Sequence, residues 1–480
     1  MDAKLFFRQL LDHSGLCAVD GTHEVSYGRI TELAQSHARM LEIAGLAADP
    51  NRGQRTVAID VSVGWRAIPL FLAALRQKVT LVPVDPAKNP GLTENVLSWI
   101  KPDLYITPAL LNEDGELLTG LKPATASPRE ELRDVAVVLY TSGTTGRPKG
   151  VMLTYGNIWS NVGSILGYFK PDPEDRLYLF RPLTYASAFT GELLPSLFRG
   201  AAVYFRPPDT NPLSTMKSIQ RDGITILGTT PTVAATFARF RKRFDFGSLR
   251  CLMLSGECLT VRQAELIAEA FPGAAVWNAY GLTEASPRIS CLTEAGAFLN
   301  RKGCVGKPLA GVEVKVLAEE AEGRPAGEAE EGKEGVLYVR GPNVMKGYYG
   351  DRTATLLKIK DGWLRTGDRA VIRKGDIYIL GRADSLIIRG GVNMDPSEIE
   401  SELMKLRGIK EALVFADHSE DRTRVHAWIT CEKGVLMTQI RSTIVHEIKD
   451  SRLWPDVIEM KEELPKTASG KLIRPIQSLR

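Results

Sequence analysis

Histidine is missing from the middle of this chain: the six lie at 13, 23, 37, 418, 426 and 446, leaving none between Ala38 and Asp417. That gap argues against a histidine-based triad or a histidine-held metal in the main body, since both need imidazole at the reacting centre. The six cysteines, at 17, 251, 258, 291, 304 and 431, form no Cys-x-x-Cys pair and no regular framework. Zinc ribbons and disulfide-stapled folds are thereby disfavoured, and a reducing, cytoplasmic setting is expected. Long apolar runs are lacking too. Residues 67–75 are apolar, but Arg66 and Arg76 bracket them well below the ~18 residues that a span requires. The opening Met1-Asp2-Ala3-Lys4-Leu5-Phe6-Phe7 has no basic region before an apolar one, so no signal peptide or integral membrane segment is expected. Nor does one sign of charge dominate: 61 Lys and Arg against 57 Asp and Glu leave +4 and no basic stripe for nucleic acid. Phosphate recognition, if present, should be local and its ligand small.

What is present suits a globular protein of two or more domains, at 480 residues with 44% apolar and 25% charged content. Leu139-Tyr140-Thr141-Ser142-Gly143-Thr144-Thr145-Gly146-Arg147-Pro148-Lys149-Gly150 follows a Val- and Leu-rich run, 134–140, that reads as a buried strand. Glycines let backbone N–H groups approach an anion, hydroxyls add rotatable donors, and Arg147 and Lys149 supply charge, so the stretch reads as a phosphate grip. It is not a P-loop. Four residues beyond Gly143 stands Pro148 where the second Gly is needed, and Gly150 follows Lys149 in place of a metal-binding hydroxyl.

Helical and strand-like periods alternate along the chain. Residues 28–44, 64–75, 92–100 and 153–167 read as helices, with strands at 25–27, 56–60, 79–84, 104–107, 176–180, 201–205, 224–227, 251–255 and 275–277. Strands spaced by helices argue for a parallel sheet covered by helices. In such sheets ligands collect at the carboxyl ends of strands, which places Thr230, Gly256, Glu257 and the run Asn278-Ala279-Tyr280-Gly281-Leu282-Thr283-Glu284 along one crevice. Glu284 suits Mg²⁺ beside a phosphate site, and equally suits a solvated helix start. Between Ala318 and Gly335 seven glutamates mark an exposed loop in a β-rich section, where 335–340 and 375–380 are strands flanking 363–368. Charge density rises after Asp384, where the domain boundary is placed. The expected fold is α/β: a large domain, 1–383, of helix-covered sheets with a β-rich section, and a small mobile α+β domain, 384–480.

Taken together, Tyr140 through Gly150, Tyr280-Gly281-Leu282-Thr283-Glu284, Gly362-Trp363-Leu364-Arg365-Thr366-Gly367-Asp368, Gly381-Arg382-Ala383-Asp384 with Gly390-Gly391, and Pro465-Lys466-Thr467-Ala468-Ser469-Gly470-Lys471 stand in the order of a known set of motifs. The chain resembles the adenylate-forming superfamily of acyl-CoA synthetases, peptide-synthetase adenylation domains and luciferases. The resemblance implies that a carboxylate attacks the α-phosphate of ATP to give acyl-AMP, and that a thiol then takes the acyl group. A carboxylate is already nucleophilic at neutral pH, so the first step needs positioning and charge neutralisation rather than a histidine base.

By the same resemblance Thr141, Ser142, Gly143, Thr144, Thr145 and Lys149 hold the β- and γ-phosphates, Thr283 the α-phosphate and Glu284 the Mg²⁺. Tyr280 lies against adenine, in an ATP site completed by Gly256, Glu257, Asn278, Ala279 and Gly281. Asp368 takes the ribose hydroxyls and Arg382 the ribose or phosphates. Lys471 is the mobile lysine of adenylation, and Asp384 is the hinge of the small domain. Gly390 and Gly391 line a pantetheine path or form an ordinary tight turn. Amino-acid-activating members pair the substrate ammonium with an Asp where this chain has Ala186 or Ser187, so a non-amino acid, fatty or aryl, is expected in a pocket that includes Tyr185, Ala186, Ser187 and Thr230. The thiol is that of CoA, or alternatively the phosphopantetheine of a carrier protein. A luciferase-like oxygenase and a non-catalytic binding protein are the readings from other classes.

Overall fold

The computed structural model describes residues 1–48, 53–118, 121, 127–141, 148–205, 212–318, 329–383, 387–389, 392–394, 396–417, 424–432, 434–466 and 472–474. Among them, two large sheets organise the N-terminal part. One runs Gly347–Tyr348, Lys149–Thr154, Val135–Thr141, Thr80–Val84, Thr56–Asp60 and Leu104–Ile106. The other runs Arg288–Leu292, Ala275–Gly281, Cys251–Ser255, Ile226–Thr229, Arg176–Leu179, Ala202–Phe205, Leu16–Asp20 and His23–Ser26. Residues 67–75, the apolar run of the sequence, are buried all round the helix Ala67–Gln77, as a helix packed on every side must be. A third, antiparallel sheet joins Glu313–Leu317, Gly335–Arg340 and Trp363–Arg373, with Asp376–Arg382 paired to the last. The expected α/β architecture with its β-rich section is therefore the observed one.

Two local expectations are corrected, and one strand carries no expectation from the sequence. Residues 16–20 form a strand paired with His23–Ser26 through Gly21, whose φ of 64° suits glycine; five residues are too few for a period to declare itself. The helix expected over 153–167 is Tyr155–Ile165, because Thr154 caps it in a reciprocal box with Asn157. Lys149–Thr154 before it is a strand antiparallel to Val135–Thr141, with Thr141 opposite Lys149. The phosphate stretch thus joins a hairpin rather than a strand to a helix. Finally, residues 363–368 do not lie between strands but open the strand Trp363–Arg373.

The C-terminal part is α+β. Strands Ile409–Asp417 and Arg424–Cys431 pair antiparallel, Val457–Met460 adds parallel, and helices Pro396–Lys405 and Met437–Glu447 enclose a core of its own, including Ile399, Leu403, Val414, Ile429 and Ile444. Arg239 of the larger part donates to the Lys410 carbonyl at 3.1 Å. The boundary residue Asp384 lies outside the described residues. No described helix is long and apolar enough to cross a membrane.

His37, in the helix Tyr27–Ile43, is fully buried and its imidazole is pushed down from 6.5 to about 4 by that burial. The unfolded chain therefore takes up a proton that the folded chain refuses as pH falls from 6.5 towards 4. At about 1.4 kcal/mol per unit, His37 should cost of order 3 kcal/mol of stability across that window and nothing above it. Denaturant titrations should show His37→Leu with a flatter pH dependence than the parent; equal slopes would contradict the assignment.

Candidate active site

The strands Ile226–Thr229, Cys251–Ser255 and Ala275–Gly281 are parallel neighbours, with Thr229 beside Leu254 and Ser255 beside Ala279. Their carboxyl ends consequently open on one edge, as the sequence implied. There Thr230 caps the following helix, and both the amide and hydroxyl of Thr232 donate to Glu257 Oε2, at 3.2 and 2.7 Å. Gly256 sits at φ 93°, in the left-handed region that favours glycine. Asn278 points elsewhere: its Nδ2 donates to the Cys304 carbonyl at 2.8 Å, so its side chain is engaged in holding the sheet.

The loop that follows is tightly fixed. A Cβ on Gly281 would meet the Pro287 carbonyl oxygen at 1.8 Å, which only glycine avoids. Ser286 Oγ donates to Asn343 O, and Asn343 Nδ2 donates in return to the carbonyls of Ala285 and Arg288. Within this frame Thr283–Ala285 forms a short 3-10 turn. Glu284 Oε1 accepts from the Tyr348 hydroxyl at 2.8 Å, and the Lys149 ammonium lies over the same ring, 5.1 Å from its centre. Tyr348 is positioned by pairing of Gly347–Tyr348 with Val151 and Met152. It therefore joins the cation at the end of the phosphate stretch to the acid at the end of the other sheet.

Across the mouth stand Asp368 and Arg382, cross-strand partners in the third sheet. Arg382 Nη1 lies 3.4 Å from Asp368 Oδ1, while Tyr280 Oη donates to Asp368 Oδ2 at 2.5 Å. Burial, then the charge of Asp368, drives the Tyr280 phenol far up; burial and Glu284 do the same for Tyr348. Both phenols stay protonated at neutral pH and act as donors to carboxylates. Gly367, at φ 84°, makes the sharp step before Asp368, whose amide donates to Thr366 Oγ1 at 3.0 Å.

Two contributors were not singled out in the sequence, Tyr348 and Lys358, and Thr366 stood within a motif without a role of its own. Lys358, at the end of the helix Arg352–Lys358, donates from Nζ to the Thr366 carbonyl at 3.1 Å, the same oxygen that Arg382 approaches at 3.4 Å. Burial lowers its pKa while Glu284 and Asp368 oppose that shift. A lysine closing an otherwise amphipathic helical turn carries no motif, and only tertiary placement makes it part of the site. Lys358→Met should raise KM for ATP about tenfold with little change in kcat, the loss of one charge-assisted contact; a fall in kcat at constant KM would contradict this placement.

The acid-pocket segment is joined to the same loop. Tyr185 precedes the turn Ala186–Ala188, and Thr190 Oγ1 bonds both Ala186 O at 2.9 Å and Ser286 O at 2.7 Å. Thus Thr141, Lys149, Tyr185, Ala186, Ser187, Thr230, Gly256, Glu257, Ala279, Tyr280, Gly281, Thr283, Glu284, Asp368 and Arg382 all have described positions in the elements around this mouth. Ser142, Gly143, Thr144, Thr145, Gly390, Gly391 and Lys471 lie outside the described residues. No cluster of three or more His, Cys, Asp or Glu suited to a metal is found among the described residues.

Comparisons with known proteins identify the family. The family model described as AMP-binding enzyme matches residues 6–349, and that of the AMP-binding enzyme C-terminal domain matches 398–471. A feruloyl-CoA synthase of Amycolatopsis sp is 31% identical over 357 residues, covering 72% of this chain and 69% of its own. A 2-succinylbenzoate--CoA ligase of Bacillus anthracis (strain A0248) is 30% identical over 444 residues, covering 88% of each. ATP-bound MatB from Rhodopseudomonas palustris superposes with a TM-score of 0.82 at 25% identity, covering 98% of this chain and 97% of its own. The chain belongs to the AMP-binding enzymes of the adenylate-forming superfamily, and it is an AMP-forming acid–thiol ligase.

Proposed function

We propose that the protein activates a non-amino organic acid, fatty or aryl, and delivers the acyl group to the thiol of CoA. The observation that carries this reading is the meeting of Lys149 and Tyr348 from one large sheet with Glu284 beyond the strand of the other that carries Tyr280, while Tyr280 in turn bonds Asp368, the partner of Arg382 in the third sheet. One end of that arrangement suits a polyphosphate and the other a ribose. The relatives' names refer to feruloyl and 2-succinylbenzoate groups, which supports an aryl acid. Ala186 and Ser187 offer no charge for a substrate ammonium.

In the first half-reaction a carboxylate oxygen of the acid bonds to the α-phosphorus of ATP and the bond to pyrophosphate breaks. Thr141, Ser142, Gly143, Thr144, Thr145 and Lys149 hold the departing pyrophosphate, Thr283 donates to the α-phosphate, and Lys471 neutralises charge between carboxylate and phosphorus. Gly256, Glu257, Ala279, Tyr280 and Gly281 flank the adenine, Asn278 contributes through its backbone, and Asp368 accepts from the ribose with Arg382 beside it. A single carboxylate fits Mg²⁺ held mostly by phosphate oxygens and water, and Glu284, fixed by Tyr348, would hold it. Bound there, the ion would supply further charge neutralisation on the phosphates.

In the second half-reaction the thiol sulfur bonds to the acyl carbon and AMP leaves. The chain divides into 1–383 and 384–480, hinged at Asp384, with the small domain turning between the two steps and Gly390 and Gly391 lining the pantetheine arm. The separate family matches over 6–349 and 398–471 support the division. The scattered cysteines, with no regular framework, support a reducing, cytoplasmic setting for the reaction. The alternative acceptor, a carrier protein's phosphopantetheine, presents the same thiol. Offering free CoA against a panel of holo carrier proteins should give thioester with CoA at the higher kcat/KM; formation on a carrier alone would overturn the choice of CoA.

A further inference from the structure

Below the acid-pocket segment lie two arginines and one glutamate, all almost wholly buried: Arg181 at 3%, Arg288 at 1% and Glu192 at 0% exposure. Arg181 and Glu192 are an ion pair through Nη2 and Oε1, and Arg181 Nη1 also donates to Ser255 Oγ at 2.6 Å. Gly228 makes room for this pair, since a Cβ there would collide with the Glu192 carboxylate. Arg288 has no such ion-pair partner among the described residues. Among the described residues its Nη2 meets the Met253 sulfur at 3.3 Å, the Tyr168 phenol is a further side-chain partner, and its Nε has no acceptor. A thioether and a phenol oxygen are neutral acceptors, and a guanidinium shut away from water without an anion of its own carries a heavy desolvation cost.

The neighbours do not supply the missing anion. Burial pushes the Cys291 thiol up to about 12 and the Tyr168 phenol higher still, so both are neutral. Glu192 is the remaining acid that acts on Arg288, and it is already engaged by Arg181. Even if Glu192 were shared, two guanidiniums against one carboxylate leave one positive charge in excess. The position of that charge is telling. The Arg288 Nη2 lies 3.3 Å from where a Cβ on Gly191 would stand, against the turn that continues from Tyr185-Ala186-Ser187, and Thr190 ties that turn to Ser286. A side chain at 191 would crowd the guanidinium; glycine lets the turn lie directly against Arg288.

We propose that Arg288 receives a second carboxylate at the far end of the acid being activated, so that the preferred substrates are dicarboxylic acids. The inference rests on the ligase reading and narrows its substrate. A planar fork of donors suits a carboxylate in two-point contact, and a buried charge left unpaired by a monoacid discriminates against it strongly.

The test is acid-dependent ATP–pyrophosphate exchange with matched pairs, α,ω-dicarboxylates and the monocarboxylates of the same length, together with aryl acids bearing or lacking a second carboxyl. Wild-type enzyme should favour the diacid of its best pair at least tenfold in kcat/KM. R288M should lose at least tenfold more activity with that diacid than with its monoacid partner, and R288K should recover part of the loss. Monoacids turned over as well as diacids by the wild-type enzyme would overturn the subsite while leaving the ligase reading intact, whether or not the variants fold. Absence of exchange with every acid would overturn the ligase reading and the inference with it.

Discussion

Lys471→Ala should lower acid-dependent acyl-AMP formation by about a hundredfold or more, the effect of losing one well-placed cation at a charged transition state, and leave transfer from supplied acyl-AMP to thiol within a few-fold of wild type. The asymmetry follows from where the flanking residues are anchored. Lys466 bridges to Leu472 and pairs with Glu411 at 2.7 Å, and Arg474 holds Glu400 at 2.7 Å and the Val414 carbonyl at 3.1 Å, all within the small C-terminal unit. Lys149, by contrast, belongs to the hairpin of the large part. On the proposed alternation, a lysine carried by the small unit serves only the step during which that unit faces the phosphates. Single-turnover assays of each half-reaction separate the two, and equal losses in both would sink the alternation of the domains.

The second large effect is on stability. Glu192→Ala removes the carboxylate beside Arg181 and leaves two buried guanidiniums with none, which should cost about 3–5 kcal/mol, the usual penalty for breaking a buried pair from one side. Replacing both members, Arg181→Leu with Glu192→Leu, removes the pair together with its desolvation cost and should restore most of the loss. Urea denaturation of the full chain measures both. A loss below about 1 kcal/mol for Glu192→Ala would show the pair to be as weak as a surface one.

These residues also show where sequence reading reaches its limit. The ordered motifs and the alternation of strands with helices sufficed for the architecture, because each depends on neighbours in the chain: glycines where the backbone turns, apolar residues at a helical or strand period. The helix expected from 153 begins two residues too early, because Leu153 suits the end of the strand Lys149–Thr154 as well as the start of the helix that Thr154 caps. Tyr348 and Lys358 carry no local signature, and their roles arise from partners at Glu284 and Thr366. Arg181, Glu192 and Arg288 did leave a trace: each is a charge set among apolar or small neighbours, Phe180 and Pro182, Gly191 and Leu193, Pro287 and Ile289. A lone charge in such a setting is either buried or at an edge, and only the three-dimensional meeting of the three decides which. Asn278 stands in a motif run that suggests a nucleotide contact, and its side-chain amide, engaged with Cys304 O, leaves that role to its backbone.

The account as a whole stands on acid activation by ATP, and pyrophosphate exchange across a broad panel of carboxylic acids measures that step directly. It predicts label exchange into ATP that requires a non-amino acid, is lost with Lys471→Ala, and is followed by thioester formation when CoA is added. Exchange that proceeds without any acid, or that answers only to α-amino acids, would contradict it.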